Sequence, residues 1–203
     1  MNTNQPIAFL GGEFIPASEL SIPVYDSGFV LGATVAEQVR TFAGRLFRME
    51  DHLQRFFTSL SLIDLTIPQA AGKLLSAANQ LVETNHRLLD AGDDLGLCLF
   101  ATPGPYSTMA PRGTSGPMVA MHTYPLPFHR FAGTYHSGQA LSTTGVPQIP
   151  AASLPRELKC RSRIHYYLAD LEAARREPGS RALMLDGDGT VLEATTANVL
   201  IYR

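Results

Sequence analysis

Lys159 is one of only two lysines in the chain, and Glu193 follows it by 34 residues. A neutral lysine amine can condense with an aldehyde to a Schiff base. A carboxylate can hold a proton on a heteroaromatic nitrogen, so that the ring accepts electrons. An amine and a carboxylate at the two ends of one helix-then-strand segment therefore suit covalent chemistry on a ring-bearing aldehyde. Arg55 offers a planar fork of N–H donors, the geometry that grips phosphate oxygens in pairs. Glu37 and Arg40 share one extended stretch upstream, and strand alternation puts them on opposite faces.

Two further patterns turn these residues into a set. Asp26-Ser27-Gly28-Phe29 leads to Gly32, then Glu37, Arg40, Phe42, Gly44, Leu46 and Phe47, then Asp51-His52-Leu53-Gln54-Arg55 and Ser59. Lys159-Cys160-Arg161-Ser162-Arg163 is followed later by Leu192-Glu193-Ala194-Thr195-Thr196-Ala197-Asn198. In this order and spacing, the chain resembles the class IV (fold type IV) pyridoxal-phosphate aminotransferases. That group includes branched-chain aminotransferases, D-amino-acid aminotransferases and aminodeoxychorismate lyase. The resemblance runs from about Ile7 to the last residue.

The resemblance implies an α+β fold of two domains and pyridoxal 5'-phosphate as cofactor, carried by Lys159. It implies Arg55 at the cofactor phosphate and Glu193 at the pyridine nitrogen. Thr195 and Thr196 would donate hydroxyl hydrogen bonds to the cofactor. Arg40 and Glu37 would line the substrate pocket, Arg40 either against a substrate carboxylate or in a packing role. The substrates would be an amino acid and a 2-oxo acid, with the branched-chain type slightly preferred and a homodimer as the working form. A lyase that eliminates pyruvate with the same lysine is the alternative chemistry, and a catalytically silent fragment or scaffold is the alternative class.

The chain also departs from the family pattern. Ala36 stands where a bulky residue often precedes the glutamate. Ile164 stands five residues after the lysine, where many members have a tyrosine, with His165-Tyr166-Tyr167 following. Leu97-Cys98-Leu99-Phe100 lacks the Arg-x-His carboxylate trap of the D-amino-acid enzymes. Members continue past the glutamate to a phosphate-binding loop at a helix N-terminus. The resemblance therefore predicts further native chain beyond Arg203, which would otherwise leave an open sheet edge and weak cofactor binding.

Bulk properties agree with an enzyme core. At 203 residues and 45% hydrophobic, the chain can bury a sizeable interior. A net charge of −2 and the lack of a Lys/Arg run give no footprint for nucleic acid. Cys98 and Cys160 are the only cysteines, without CxxC or Cys/His metal spacing. Cys160 reads as a small core filler pointing away from its neighbour Lys159. No stretch approaches the ~20 apolar residues of a membrane span, and the first residues lack a targeting pattern, so a cytoplasmic enzyme is expected.

The elements that must position these residues follow from periodicity. A hairpin is expected around Gly11-Gly12, and a second over 34–48 with its turn at Ala43-Gly44. Apolar spacing predicts helices over 49–63 and 68–89. Continuous apolar runs at 95–101 and 117–123 read as buried strands. A strand is expected near 140–144, a helix over 161–176, and strands at 182–186, 190–192 and 198–202, the last two flanking a loop that carries Glu193. The stiff run Tyr124-Pro125-Leu126-Pro127-Phe128 marks a boundary. The organisation predicted is a small α/β domain over 1–123, a linker over 124–131, and the start of a larger cofactor-binding domain over 132–203.

Overall fold

A computed structural model describes residues 5–203 and divides into two compact units. One runs to Leu126 and also takes in Glu157–Ser162; the other comprises Pro127–Arg156 and Arg163–Arg203. The chain passes from the first unit to the second between Leu126 and Pro127. Residues 157–162, Lys159 among them, return to the first unit instead of joining the segment from 132 onward.

The first unit begins with the hairpin β1 (Ile7–Leu10) and β2 (Glu13–Pro16), closed through Gly11 and Gly12, both at positive φ. A short helix, α1 (Ser27–Val30), is capped by Asp26, whose side chain accepts from the Gly28 N–H. Then come β3 (Val35–Phe42), β4 (Arg45–Leu46), α2 (Met49–Leu62), α3 (Ala71–His86), β5 (Leu95–Thr102) and β6 (Met118–Pro125). The strands form one antiparallel sheet in the order β2-β1-β6-β5-β3-β4.

Helices α2 and α3 cover one face of that sheet. Met49, Leu53, Phe56 and Leu60 recur at helical spacing along α2, and Leu74, Ala78, Leu81 and Val82 along α3. They meet Val35, Val39, Leu95, Leu97, Leu99, Val119 and Met121 from alternate strand positions. Asn85 locks α3 to the sheet: its side chain accepts from the Ile7 N–H and donates to the Ile7 carbonyl and Thr123 Oγ1. The opposite face carries a smaller cluster, Ala36, Cys98, Phe100 and Ala120. Helix α3 starts later than expected from Pro68, because Ala70 keeps an extended backbone at the N-cap.

In the second unit, α4 (Phe128–Phe131) and α5 (Thr134–Ser137) are single turns that apolar periodicity did not foretell. They precede β7 (Leu141–Thr143), α6 (Ile164–Arg176), β8 (Arg181–Leu185), β9 (Val191–Ala194) and β10 (Ala197–Asn198). The sheet order is β10-β9-β8-β7, with β7 parallel to β8 and the other pairs antiparallel. Ala169 and Ala173 of α6 pack on Ala182 and Met184 of β8. The small side chains let helix and strand approach closely. Two expectations are corrected here: the final strand is only Ala197–Asn198, and Glu193 lies within β9, not in a loop. Among the described residues no helix is long and apolar enough to cross a membrane.

Candidate active site

Lys159 sits in a short extended strap that pairs with the start of β3. The Ala36 N–H donates to the Lys159 carbonyl at 3.0 Å, and the Arg161 N–H donates to the Thr34 carbonyl at 2.8 Å. Cys160 forms a bridge with Val35 between those bonds. The alternation of an extended chain then fixes the side chains. Leu158 and Cys160 share the parity of Val35, and Leu158 packs on the helix-side core. Lys159 and Arg161 take the other face, with Ala36, Gln38 and Arg40. This explains why the helix expected from 161 begins at Ile164: the backbone of 159–161 is committed to β3.

Ser59 fastens the strap to α2, its hydroxyl oxygen accepting from the Lys159 N–H at 3.1 Å. Arg55 lies one helical turn before Ser59, so the two share a face of α2. Its Nε and Nη2 donate to Glu37 Oε1 and Oε2, each at 2.6 Å. His52 Nδ1 is 2.8 Å from Glu37 Oε2. The Glu37 side chain is fully buried whereas that of Arg55 is 50% exposed. Burial alone would raise the Glu37 carboxyl. Hydrogen bonds and charge from Arg55 and His52 outweigh it and hold the group below its ordinary value.

Glu37 was expected in the substrate pocket; its position on β3 turns it instead into the helix-covered face, onto Arg55. Arg40 is on the other face. Its Nε donates to the Thr41 carbonyl at 3.0 Å, its guanidinium lies over the Phe42 ring, and Nη2 is 3.9 Å from Asp94. It lines a cleft of about 220 Å³ with Gln38, Phe47, His52 and Tyr124. Asp94 also anchors the β3–β4 turn, accepting from Thr41 Oγ1 and the Ala43 and Gly44 N–H groups.

In the second unit, Glu193 is held by the Tyr166 hydroxyl, which donates to Oε1 at 2.5 Å and accepts from Gln148 Nε2. Burial and the Glu193 carboxylate push the Tyr166 phenol up. His165 is buried beside it, and neither ring nitrogen has a hydrogen-bond partner among the described residues. Thr195 does not offer its hydroxyl hydrogen, which goes to Asp170 Oδ1 at 2.7 Å. Asp170 also accepts from the Ala182 N–H and Arg181, and these bonds outweigh burial to hold its carboxyl low. Thr196 is exposed on the turn between β9 and β10.

Within each unit, the residues offer groups of the kind that pyridoxal phosphate takes. Arg55 is oriented through one edge of its guanidinium, which leaves the Nη1 side for phosphate oxygens. Lys159 has a backbone held at both ends of the strap. Glu193 keeps one oxygen for a ring nitrogen while Tyr166 takes the other. Three contributors escaped the sequence reading. Tyr166 lies two positions beyond Ile164, and the His165-Tyr166-Tyr167 run is its only signal in the sequence. Ser59 stood in the motif without a role. Glu37 as the partner of Arg55 had none, because the two are 18 residues apart in sequence.

Comparison with known proteins gives the family. The amino-transferase class IV family model matches residues 34–203. The chain belongs to that family, whose members are pyridoxal-phosphate-dependent. It is 26% identical over 195 residues to the D-alanine aminotransferase of Bacillus licheniformis, covering 95% of this chain and 64% of that protein. Among solved structures, the branched-chain aminotransferase of Thermoproteus uzoniensis with norvaline superposes at TM-score 0.76 and 23% identity, over 94% of this chain and 63% of that one. A hypothetical aminotransferase from Mycobacterium tuberculosis in its pyridoxal-phosphate-bound form gives 0.74 and 24%, over 93% and 65%. The chain therefore has the mixed α+β fold of this family and spans a little under two thirds of the length of these relatives.

Proposed function

We propose that the chain is part of an aminotransferase that moves an amino group between an amino acid and a 2-oxo acid with pyridoxal 5'-phosphate. The observation that carries the reading is the strap: it sets Lys159 on the face of the first sheet turned away from α2 and α3 and ties its backbone to α2, one turn from Arg55. When bound, the cofactor supplies an electron sink for the bonds at the substrate α-carbon. Lys159 is assigned to carry it and, once released, to move the α-proton. Arg55, steered by Glu37, pairs with the phosphate. Glu193, oriented by Tyr166, keeps the ring nitrogen protonated.

The same reading covers substrate and assembly. Ala36, Phe100 and Ala120 form a buried apolar patch on the face that holds Lys159. That patch supports an uncharged, branched-chain type of side chain. Exposed Phe29, Leu31, Phe42 and Phe47 give the first unit apolar surface suited to a homodimer.

The test is a half-reaction. Purified protein loaded with cofactor is mixed with leucine, D-alanine or glutamate, and absorbance and released 2-oxo acid are followed together. Amino-acid-dependent loss of the aldehyde band with stoichiometric 2-oxo acid is expected, fastest for leucine. Pyruvate released from a chorismate-derived amine, without any stable aminated cofactor, would replace this reading with the lyase.

A further inference from the structure

The strap that presents Lys159 also presents Arg161 on the same side of the sheet. One extended residue separates them, so their Cα atoms are about 7 Å apart. The Arg161 guanidinium reaches across to β5, where Nη2 donates to Cys98 Sγ at 2.9 Å. A thiol is a weak acceptor and takes one of five N–H donors. No carboxylate pairs with Arg161 among the described residues. Arg48, Arg55, Arg87, Arg156, Arg176 and Arg181 each meet one, and Arg40 lies near Asp94; Arg45, Arg112, Arg130, Arg163, Arg175 and Arg203 share the lack with Arg161, so its place beside Lys159 is what sets it apart.

The surroundings keep that charge uncompensated. Strand register sets Cys98 opposite Gln38 on one side and His122 on the other. Tyr124 lies opposite Gly96, and its ring folds over the glycine so closely that a Cβ there would come 2.3 Å from Cζ. The phenol therefore lies flat on this face. His122 is kept towards its neutral form by burial, with Arg161 adding to the effect. None of these neighbours is an acid. A cationic fork with free donors, beside a phenol and a glutamine amide and one residue from Lys159, is suited to a small carboxylate.

We propose that Arg161 binds the carboxylate of the amino acid and 2-oxo acid substrates. The assignment rests on the aminotransferase reading of Lys159. It gives the chain a carboxylate-binding arginine on the lysine strap, where β5 offers Gly96, Cys98, Phe100 and Thr102, none of them a cation, on this face.

The test uses the full chain and isovalerate, a monocarboxylate that cannot react. Isovalerate binding is measured by titration calorimetry for wild type, R161M and R161K, together with thermal unfolding and cofactor labelling of Lys159. R161M should weaken isovalerate binding about 10- to 100-fold, the scale of one lost charge-assisted pair. R161K should recover part of it, with Lys159 labelled in all three. Equal affinity in wild type and R161M would overturn the proposal, as would no binding by wild type. If Arg161 merely ties the strap to β5, R161M and R161K will unfold earlier with unchanged affinity, which also overturns it. Absence of Lys159 labelling in wild type overturns the aminotransferase reading separately, and the carboxylate assignment with it.

Discussion

The carboxylate of Glu37 and the guanidinium of Arg55 meet edge to edge, with two hydrogen bonds of 2.6 Å, one partner fully buried and the other half exposed. Arg55 is thereby an oriented group and not a mobile surface cation. The bond also explains a glutamate on the covered face of a strand: without Arg55 and His52 its burial would be unfavourable.

Replacing Glu37 with glutamine keeps the shape and removes the charge. Arg55 loses a charge-assisted fork, worth about 1–3 kcal/mol. Urea unfolding should show a loss of that order, and cofactor affinity should fall because Arg55 is no longer aimed. Unchanged stability and affinity in E37Q would separate Arg55 from Glu37 functionally.

The same pair sets the acid limb of stability. Glu37 is held below its ordinary value of 4.5, so its native state binds protons less readily than the unfolded chain. Its stabilisation is fully present above about pH 4.5 and is lost as pH falls through the lowered native value. Asp94 and Asp170, held below 3.8 by their hydrogen bonds despite burial, add to the same limb at lower pH. Unfolding free energy measured from pH 7 down to 3 should fall, and the gap between wild type and E37Q should narrow. A constant gap across that range would contradict the sign.

Gly96 is required by the ring of Tyr124, not by backbone torsion. Alanine there would place Cβ 2.3 Å from Cζ and 2.6 Å from the hydroxyl oxygen. The ring must rotate away, at a cost of about 1–3 kcal/mol. G96A should unfold at correspondingly lower urea, with altered tyrosine fluorescence; the double variant G96A/Y124A should remove most of that penalty. An unshifted G96A would mean that Tyr124 does not lie over the glycine.

Tyr166 is the handle on Glu193. Phenylalanine at this place removes the donor to Oε1 and the acceptor for Gln148. A loss of about 1–2 kcal/mol is expected, with cofactor held roughly 5- to 30-fold less tightly. Equilibrium dialysis of Y166F against pyridoxal phosphate reads this directly. Unchanged retention would show that the Glu193 carboxylate needs no partner.

Much of this was legible locally. The period of two in 34–42 already put Glu37 and Arg40 on opposite faces, and the Met49, Leu53, Phe56, Leu60 stripe marked α2. Gly11-Gly12 and Ala43-Gly44 marked their turns, with positive φ at all four. What was not legible depends on contacts distant in sequence. Arg161-Ser162-Arg163 continues the following helical pattern, yet its backbone is drawn into pairing with 34–36, and tertiary pairing overrides propensity. The same long-range pairing moves Lys159 into the first unit. Val199 to Tyr202 has strand composition, but among the described residues no strand pairs with it beyond Asn198, and composition alone cannot form a ladder. The partner of Thr195 was hidden because Asp170 lies on another element, 25 residues away.

The central claim is that the strap lysine carries the cofactor. Protein incubated with pyridoxal phosphate, reduced with borohydride, digested and mapped by mass spectrometry should carry the pyridoxyl mass on Lys159. Lys73, on α3, is the internal control and should stay unmodified. Label on Lys73, or a protein that takes up no cofactor, would contradict the account.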